Sequence, residues 1–347
     1  MAYTSIDDPS AHFQIKTYSG TGSTTSITND GNSDLQPDWI WIKKRNLAAS
    51  HMLGDSTRGT TKYLSSDVAD AESTATNRVT AFNSNGFSLG NAGSVNNGSH
   101  TYVGWQWKCN GGTTSSNTTG SITTTVQANS DAGFNIVTYT GNGSNSNFGH
   151  GMGEQPDMVF VKRRNAAGNW CVWHKELTSS YYMQLDTTID EQTGPWDGLD
   201  PSSGVVFVYN GGLVNASGSD YVAYIFKSKQ GYSKFGKFVG NGSTDGPFVY
   251  TGFKPAWLMI KNIDVNGTRW RIIDSKINPF NVTDTQLFAE DNLAENTNSV
   301  HNIDLLSNGF KMRTSQSDQN NSGSSILYMA FAENPFVTST EIPTTAR

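Results

Sequence analysis

Charge is scarce in this 347-residue chain: Asp, Glu, Lys and Arg together make up 16% of it, against ~25% in ordinary soluble proteins. The net charge of −6 excludes nucleic acid as a main partner, because phosphate binding needs clustered Lys and Arg. Two cysteines, Cys109 and Cys171, are too few for a disulfide framework or for a zinc site of their own, and are read as isolated reduced thiols. No run of apolar residues is long enough to span a bilayer as a helix. Residues 1–12 are polar and lack the basic and apolar regions of a secretion signal, which predicts synthesis in a reducing cytoplasm. The strong helix formers Lys, Glu, Leu and Ala are sparse, which argues against long amphipathic helices.

What is abundant points the other way. The chain has 35 Gly, set among runs of Ser, Thr and Asn, together with 17 Phe, 13 Tyr and 9 Trp. So many rings exclude a disordered chain, which lacks the apolar surface to offset ordering entropy. β-branched, aromatic and turn-forming residues in this proportion predict short strands joined by polar, uncharged loops.

The decisive feature is internal repetition. Phe13 opens FQIKTYSGTGS, Phe134 opens FNIVTYTGNGS and Tyr232 opens YSKFGKFVGNGS. Each is followed by a proline, an apolar run and a lysine: PDWIWIKKRN from Pro37, PDMVFVKRRN from Pro156 and PAWLMIKNID from Pro255, with Lys43, Lys162 and Lys261 in register. A third match runs from His51, Trp170 and Trp270. A closing apolar run starts at Tyr102, Tyr221 and Tyr328. The expected architecture is all-β, three tandem homologous β-sandwich, jelly-roll-like modules of about 100 residues. The modules are assigned to 1–110, 131–229 and 230–337, with a Ser/Thr/Gly-rich linker at 111–130 that carries at most one short strand, Ile122 to Val126, and a C-terminal tail at 338–347.

In the strand after each proline, alternation puts Ile40 and Ile42, Val159 and Val161, or Leu258 and Ile260 on one face. Trp39 and Trp41, Met158 and Phe160, or Trp257 and Met259 take the other. Both faces are large and apolar. One can meet the module's own core, so Trp39, Trp41, Trp257 and Met259 are assigned to contact with a neighbouring module or a second chain.

Motifs that carry chemistry are weak. Gly231–Lys237 fits the start of a phosphate-binding loop, but Phe238 stands where a hydroxyl should hold the metal, and the segment belongs to the repeated hairpin. Asp30, Asn32 and Asp34 alternate as calcium ligands can, yet the bidentate Glu is missing and Asn/Asp-Gly already explains the turn. The six histidines show no metal spacing, and His51 stands where the other modules carry Trp. Asp55 and Asp274 recur, but His174 replaces them in the second module, so no carboxylate pair is indicated. No catalytic residue, metal or cofactor is assigned. Tyr181, Tyr182 and Trp196, in the most divergent stretch, are the ligand-binding candidates: rings stack on sugar C–H faces while neighbouring amides read hydroxyls.

The repeat wording itself, YTGNGS, QPDMVFVKRRN, VNASGSDYVAYIF, DGPFVYTGFKPAWLMIKN and LSNGFKMRT, resembles a family of repeat-built virion proteins of tailed bacteriophages, particularly those of marine bacteria and cyanobacteria. The resemblance implies a non-enzymatic, tail-associated or fibre-like structural protein on the particle surface, made in the host cytoplasm. Its implied partners are other virion proteins, copies of itself in a homo-oligomer (trimers being usual in fibres) and a host-surface glycan or receptor, without membrane insertion. Two other readings stay open: a capsid decoration or tail-wall component with no ligand of its own, and a host-polysaccharide depolymerase. Trp105, Trp107 and Lys108 depart from the usual close of the module, which suggests that the first module serves attachment to the particle.

Overall fold

A computed structural model describes residues 4–195 and 200–344. The protein is all-β, with its sheets built from antiparallel strand pairs. One four-strand pattern occurs three times. In the first third, Thr101–Trp107 lies between Phe13–Ser19 and Trp39–Lys44, and Met52–Asp55 follows at the outer side. Asp220–Phe226 sits in the same way between Phe134–Thr140 and Met158–Arg163. Ser325–Pro335 does so between Ser233–Val239 and Phe253–Asn262. A smaller sheet faces each of these. It consists of Thr25–Thr28, Gly86–Leu89 and Val79–Asn83 in the first third, Ser146–Gly149 and Val205–Val208 in the second, and Phe248–Tyr250, Gly309–Met312 and Ile303–Leu306 in the third.

Between the two sheets of each third lies a local core. Ile40 and Ile42 meet Phe87, Leu89 and Tyr102; Val159 and Val161 meet Val206, Val208 and Tyr221; Leu258 and Ile260 meet Phe310, Met312 and Ile326. The opposite faces of the same strands converge on a central core shared by all three thirds, where Trp39, Trp41, Met158, Phe160, Trp257 and Met259 pack with Trp105, Trp107, Tyr224, Phe226 and Phe331. Trp107 meets Trp257 edge to face at 5.8 Å, and Phe226 meets Phe331 at 6.3 Å. Burying each such side chain contributes roughly 1.5–3 kcal/mol. The chain thus closes its second apolar face upon itself, and Trp39, Trp41, Trp257 and Met259 are too deeply buried to reach a second chain.

The GTGS and GNGS turns are held by one repeated device. A buried Asn side chain, from Asn96, Asn215 or Asn320, accepts from the turn amide of Thr21, Asn142 or Asn241 and donates to the carbonyl of Ser23, Ser144 or Ser243. Gly22, Gly143 and Gly242 adopt φ near +70° in these turns, a conformation that costs a residue with a Cβ.

Two expectations need correction. The segment 111–130 carries two strands, not the single short one expected at Ile122 to Val126, and both join a sheet. Ser115–Asn117 and Thr124–Asn129 extend the second module's sheet to eight strands, and Ile122 pairs with the edge at Phe148. The Thr/Val run has strand propensity and finds an unpaired sheet edge beside it, which outweighs its uncharged, flexible composition. The closing runs also align differently. Phe331 lies opposite Trp257 as Trp107 lies opposite Trp39 and Phe226 opposite Met158, so Ile326 rather than Tyr328 occupies the place of Tyr102 and Tyr221. The described part of the tail folds back, with Val337 bridging Pro343 and Asp7 accepting from Ser339 N.

Candidate functional site

The seams between thirds are built from side chains that follow the post-proline strand. His51, Trp170 and Trp270 occupy equivalent places and each reaches a neighbour's backbone. His51 Nε2 bonds Phe288 O at 2.9 Å, Trp170 Nε1 donates to Ser65 O at 2.8 Å, and Trp270 Nε1 donates to Gln184 O at 2.8 Å. The direction is cyclic: first third to third, third to second, second to first. Backbone bonds cross the same three seams in the opposite sense, from Glu295 N to Arg45 O, Glu191 N to Ile263 O and Glu72 N to Arg164 O. The three recurrent lysines are fully buried beside these seams. Lys43 donates to Asn292 O and Lys261 to Thr188 O, both across a seam, while Lys162 donates to Gly168 O. Burial pushes each ammonium down to about 8.

His51 therefore does more than fill the space of an indole. Its Nδ1 accepts from Trp41 Nε1 at 2.7 Å while Nε2 faces the carbonyls of Phe288 and Asp291, so the proton sits on Nε2. Burial, with Lys43 nearby, lowers its pKa to about 3.

The recurrent acids are structural in the same sense. Asp55 accepts from Arg58 Nε at 2.6 Å and from Tyr224 Oη at 2.7 Å, and Arg58 continues to Glu72, which also holds Arg164. Asp274 accepts from Trp105 Nε1 of the first third, and burial raises its carboxyl to about 6. Asp30 pairs with Lys16 and Lys276 instead of gathering ligands with Asn32 and Asp34. Among the described residues no three His, Cys, Asp or Glu side chains gather as a metal site. Cys109 and Cys171 are free and buried, and burial pushes both thiols well up.

Of the aromatic candidates of the second third, Tyr181 and Tyr182 present no shared exposed face. Tyr182 is 9% exposed, packs in the local core and accepts a bond from Gln184. Tyr181 is half-buried in the strand Tyr181–Gln184, and Trp196 lies outside the described residues. A cleft of about 380 Å³ lined by Tyr182, Pro195, Tyr209 and Leu213 runs beside them.

Exposed apolar groups lie elsewhere. Among the described residues they concentrate in the last third, at Val239, Phe248, Tyr250, Phe280, Val282, Leu293 and Val300, with Ile342 in the tail, whereas the first third shows Leu47 alone and the second none. The repeat shows why this is a departure. Val249, Ile27 and Phe148 hold equivalent inward positions. Their neighbours on the opposite strand face are Ser26 and Thr28 in the first third and Asn147 and Gly149, the latter covered by Asn117, in the second, but the exposed Phe248 and Tyr250 in the third. A second departure is an insertion. Leu53 pairs with Leu64 and Val172 with Met183, both eleven residues on, but Ile272 pairs with Leu287, fifteen residues on. The longer loop carries Phe280, 74% exposed. Aligning the modules against one another would have flagged all three rings.

No curated relative and no solved structure matches the chain. Residues 8–335 match the model of a family described as a domain of unknown function, DUF7483. With nearly its whole length matched, the chain belongs to that family.

Proposed function

We propose that this chain is a non-enzymatic structural protein of a phage particle, tail-associated or fibre-like, that contributes to attachment at the host surface. The observation that carries the reading is the uneven distribution of exposed rings among the described residues, which gathers them in the last third. Phe248 and Tyr250 project from one side of an edge strand about 7 Å apart along the chain. Contiguous exposed apolar side chains of this kind mark contact surfaces. The inter-locked seams and the buried tryptophans suit a protein that must persist outside the cell. The burial of Tyr182 favours the second reading, a decoration or tail-wall part, for the middle of the molecule. The test is adsorption: purified protein, or antibody against it, should block particle binding to host cells, and gold-labelled antibody should mark the tail. Unchanged adsorption with label on the capsid would leave the decoration reading.

A further inference from the structure

We infer that the cleft under the inserted loop of the last third is a subsite for one neutral sugar ring. The inference rests on the attachment reading above and names its ligand class. The cleft has a volume of about 230 Å³ and is lined by Lys254, Ser275, Asn278, Phe280, Thr283 and Leu305, among others. That is below the ~300–1,000 Å³ of drug-sized sites, so it has room for a single small ring and not for a peptide helix or strand.

Three features make it a built site. The loop is fixed: Asn281 Nδ2 donates to Leu305 O at 2.8 Å while Asn281 Oδ1 accepts from Leu305 N at 2.9 Å. This clamp holds the adjacent Phe280 out into solvent at the rim. Thr283 is only 2% exposed, and its hydroxyl has no partner within the protein. A buried hydroxyl left unpaired is costly; it lies just behind the cleft that Thr283 lines, where a ligand hydroxyl that shifts the covering groups would give it a partner. The one cation in the lining, Lys254, is already paired with Glu333, so the site does not call for an anionic ligand. A ring face beside Ser, Asn and Thr groups is what a pyranose needs: C–H groups for the aromatic, hydroxyls for the polar side chains. The other two thirds, with the shorter loop, have no counterpart of Phe280.

The test uses the full chain with methyl glycosides of the common neutral hexoses at millimolar concentration, followed by saturation-transfer NMR and calorimetry. At least one should bind, with affinity falling about tenfold in Phe280→Ala and about three- to tenfold in Thr283→Val, while the thermal midpoint of Phe280→Ala stays unchanged. No binding by any hexoside, or binding indifferent to Phe280→Ala, overturns the assignment. Adsorption separates the two claims. If wild type and Phe280→Ala block particle adsorption equally, the attachment reading stands and the subsite falls. If neither blocks, the attachment reading falls.

Discussion

The indole of Trp39 stacks on the phenol ring of Tyr224, with centroids 4.6 Å apart and planes inclined by 25°. The two residues come from different thirds of the chain, and the tyrosine hydroxyl continues to Asp55 beside the tryptophan's own strand. A single contact thus joins stacking, a buried hydrogen bond and a junction between modules.

Replacing Trp39 by Ala should therefore destabilise the whole protein and not only its first third. Large-to-small changes at fully buried aromatics cost about 3–5 kcal/mol. Thermal unfolding followed by calorimetry should show one transition moved down, without a separate early step for residues 1–110.

The same shared core predicts that a module cannot be cut out intact. Residues 131–229 alone would present Met158, Phe160, Tyr224 and Phe226, all buried in the central core, to water. Sedimentation should find that fragment associated or aggregated. A folded, monodisperse monomer would contradict the shared-core account.

Acid should weaken the protein through His51. Its folded pKa, about 3, lies below the ordinary 6.5, so between those values the unfolded chain binds a proton that the folded chain refuses. Stability is then full above pH 6.5 and falls as pH drops toward 3. Protonation would place a second N–H against the indole N–H of Trp41. Denaturant titrations of wild type and His51→Gln over this range should show a smaller decline in the variant, whatever its stability at neutral pH.

Glu290 gives the opposite sign. Burial raises its carboxyl from 4.5 to about 7, so the folded state holds a proton that the unfolded state releases, and stability falls as pH rises across that window. Glu290→Gln should remove this slope. Its amide oxygen can still accept from Trp270 N, as the carboxylate does at 3.0 Å.

The turn clamps can be tested by analogy among themselves. Asn215→Ala removes the acceptor of Asn142 N and the donor to Ser144 O, part-buried bonds in an exposed turn worth about 0.5–1.5 kcal/mol each. Asn96→Ala and Asn320→Ala should lose similar amounts in thermal denaturation, because the geometry recurs.

Alternation after each proline was enough to show that Trp39, Trp41, Trp257 and Met259 needed a partner beyond their own sandwich. It was not enough to show which, because a neighbouring module and a second chain bury an apolar face equally well. In the segment 111–130 the Thr/Val run is legible as a short strand, but Ser, Thr and Gly also suit a tether, and only the neighbouring edge at Phe134–Thr140 shows that Thr124–Asn129 joins a sheet. Tyr181 and Tyr182 were conspicuous as an aromatic pair, but period-2 geometry turns adjacent residues to opposite faces, and Tyr182 fell inward. Phe280 was legible only as extra length in one copy of a repeat.

The cyclic seams have a consequence for valency. In a ring of three identical chains, any change to the outer surface appears three times, whether or not each copy is useful. A chain that closes the ring by itself can alter one third and leave the other two smooth. The loop at Phe280 is therefore present once per molecule, and any strength in numbers must come from how many molecules stand side by side.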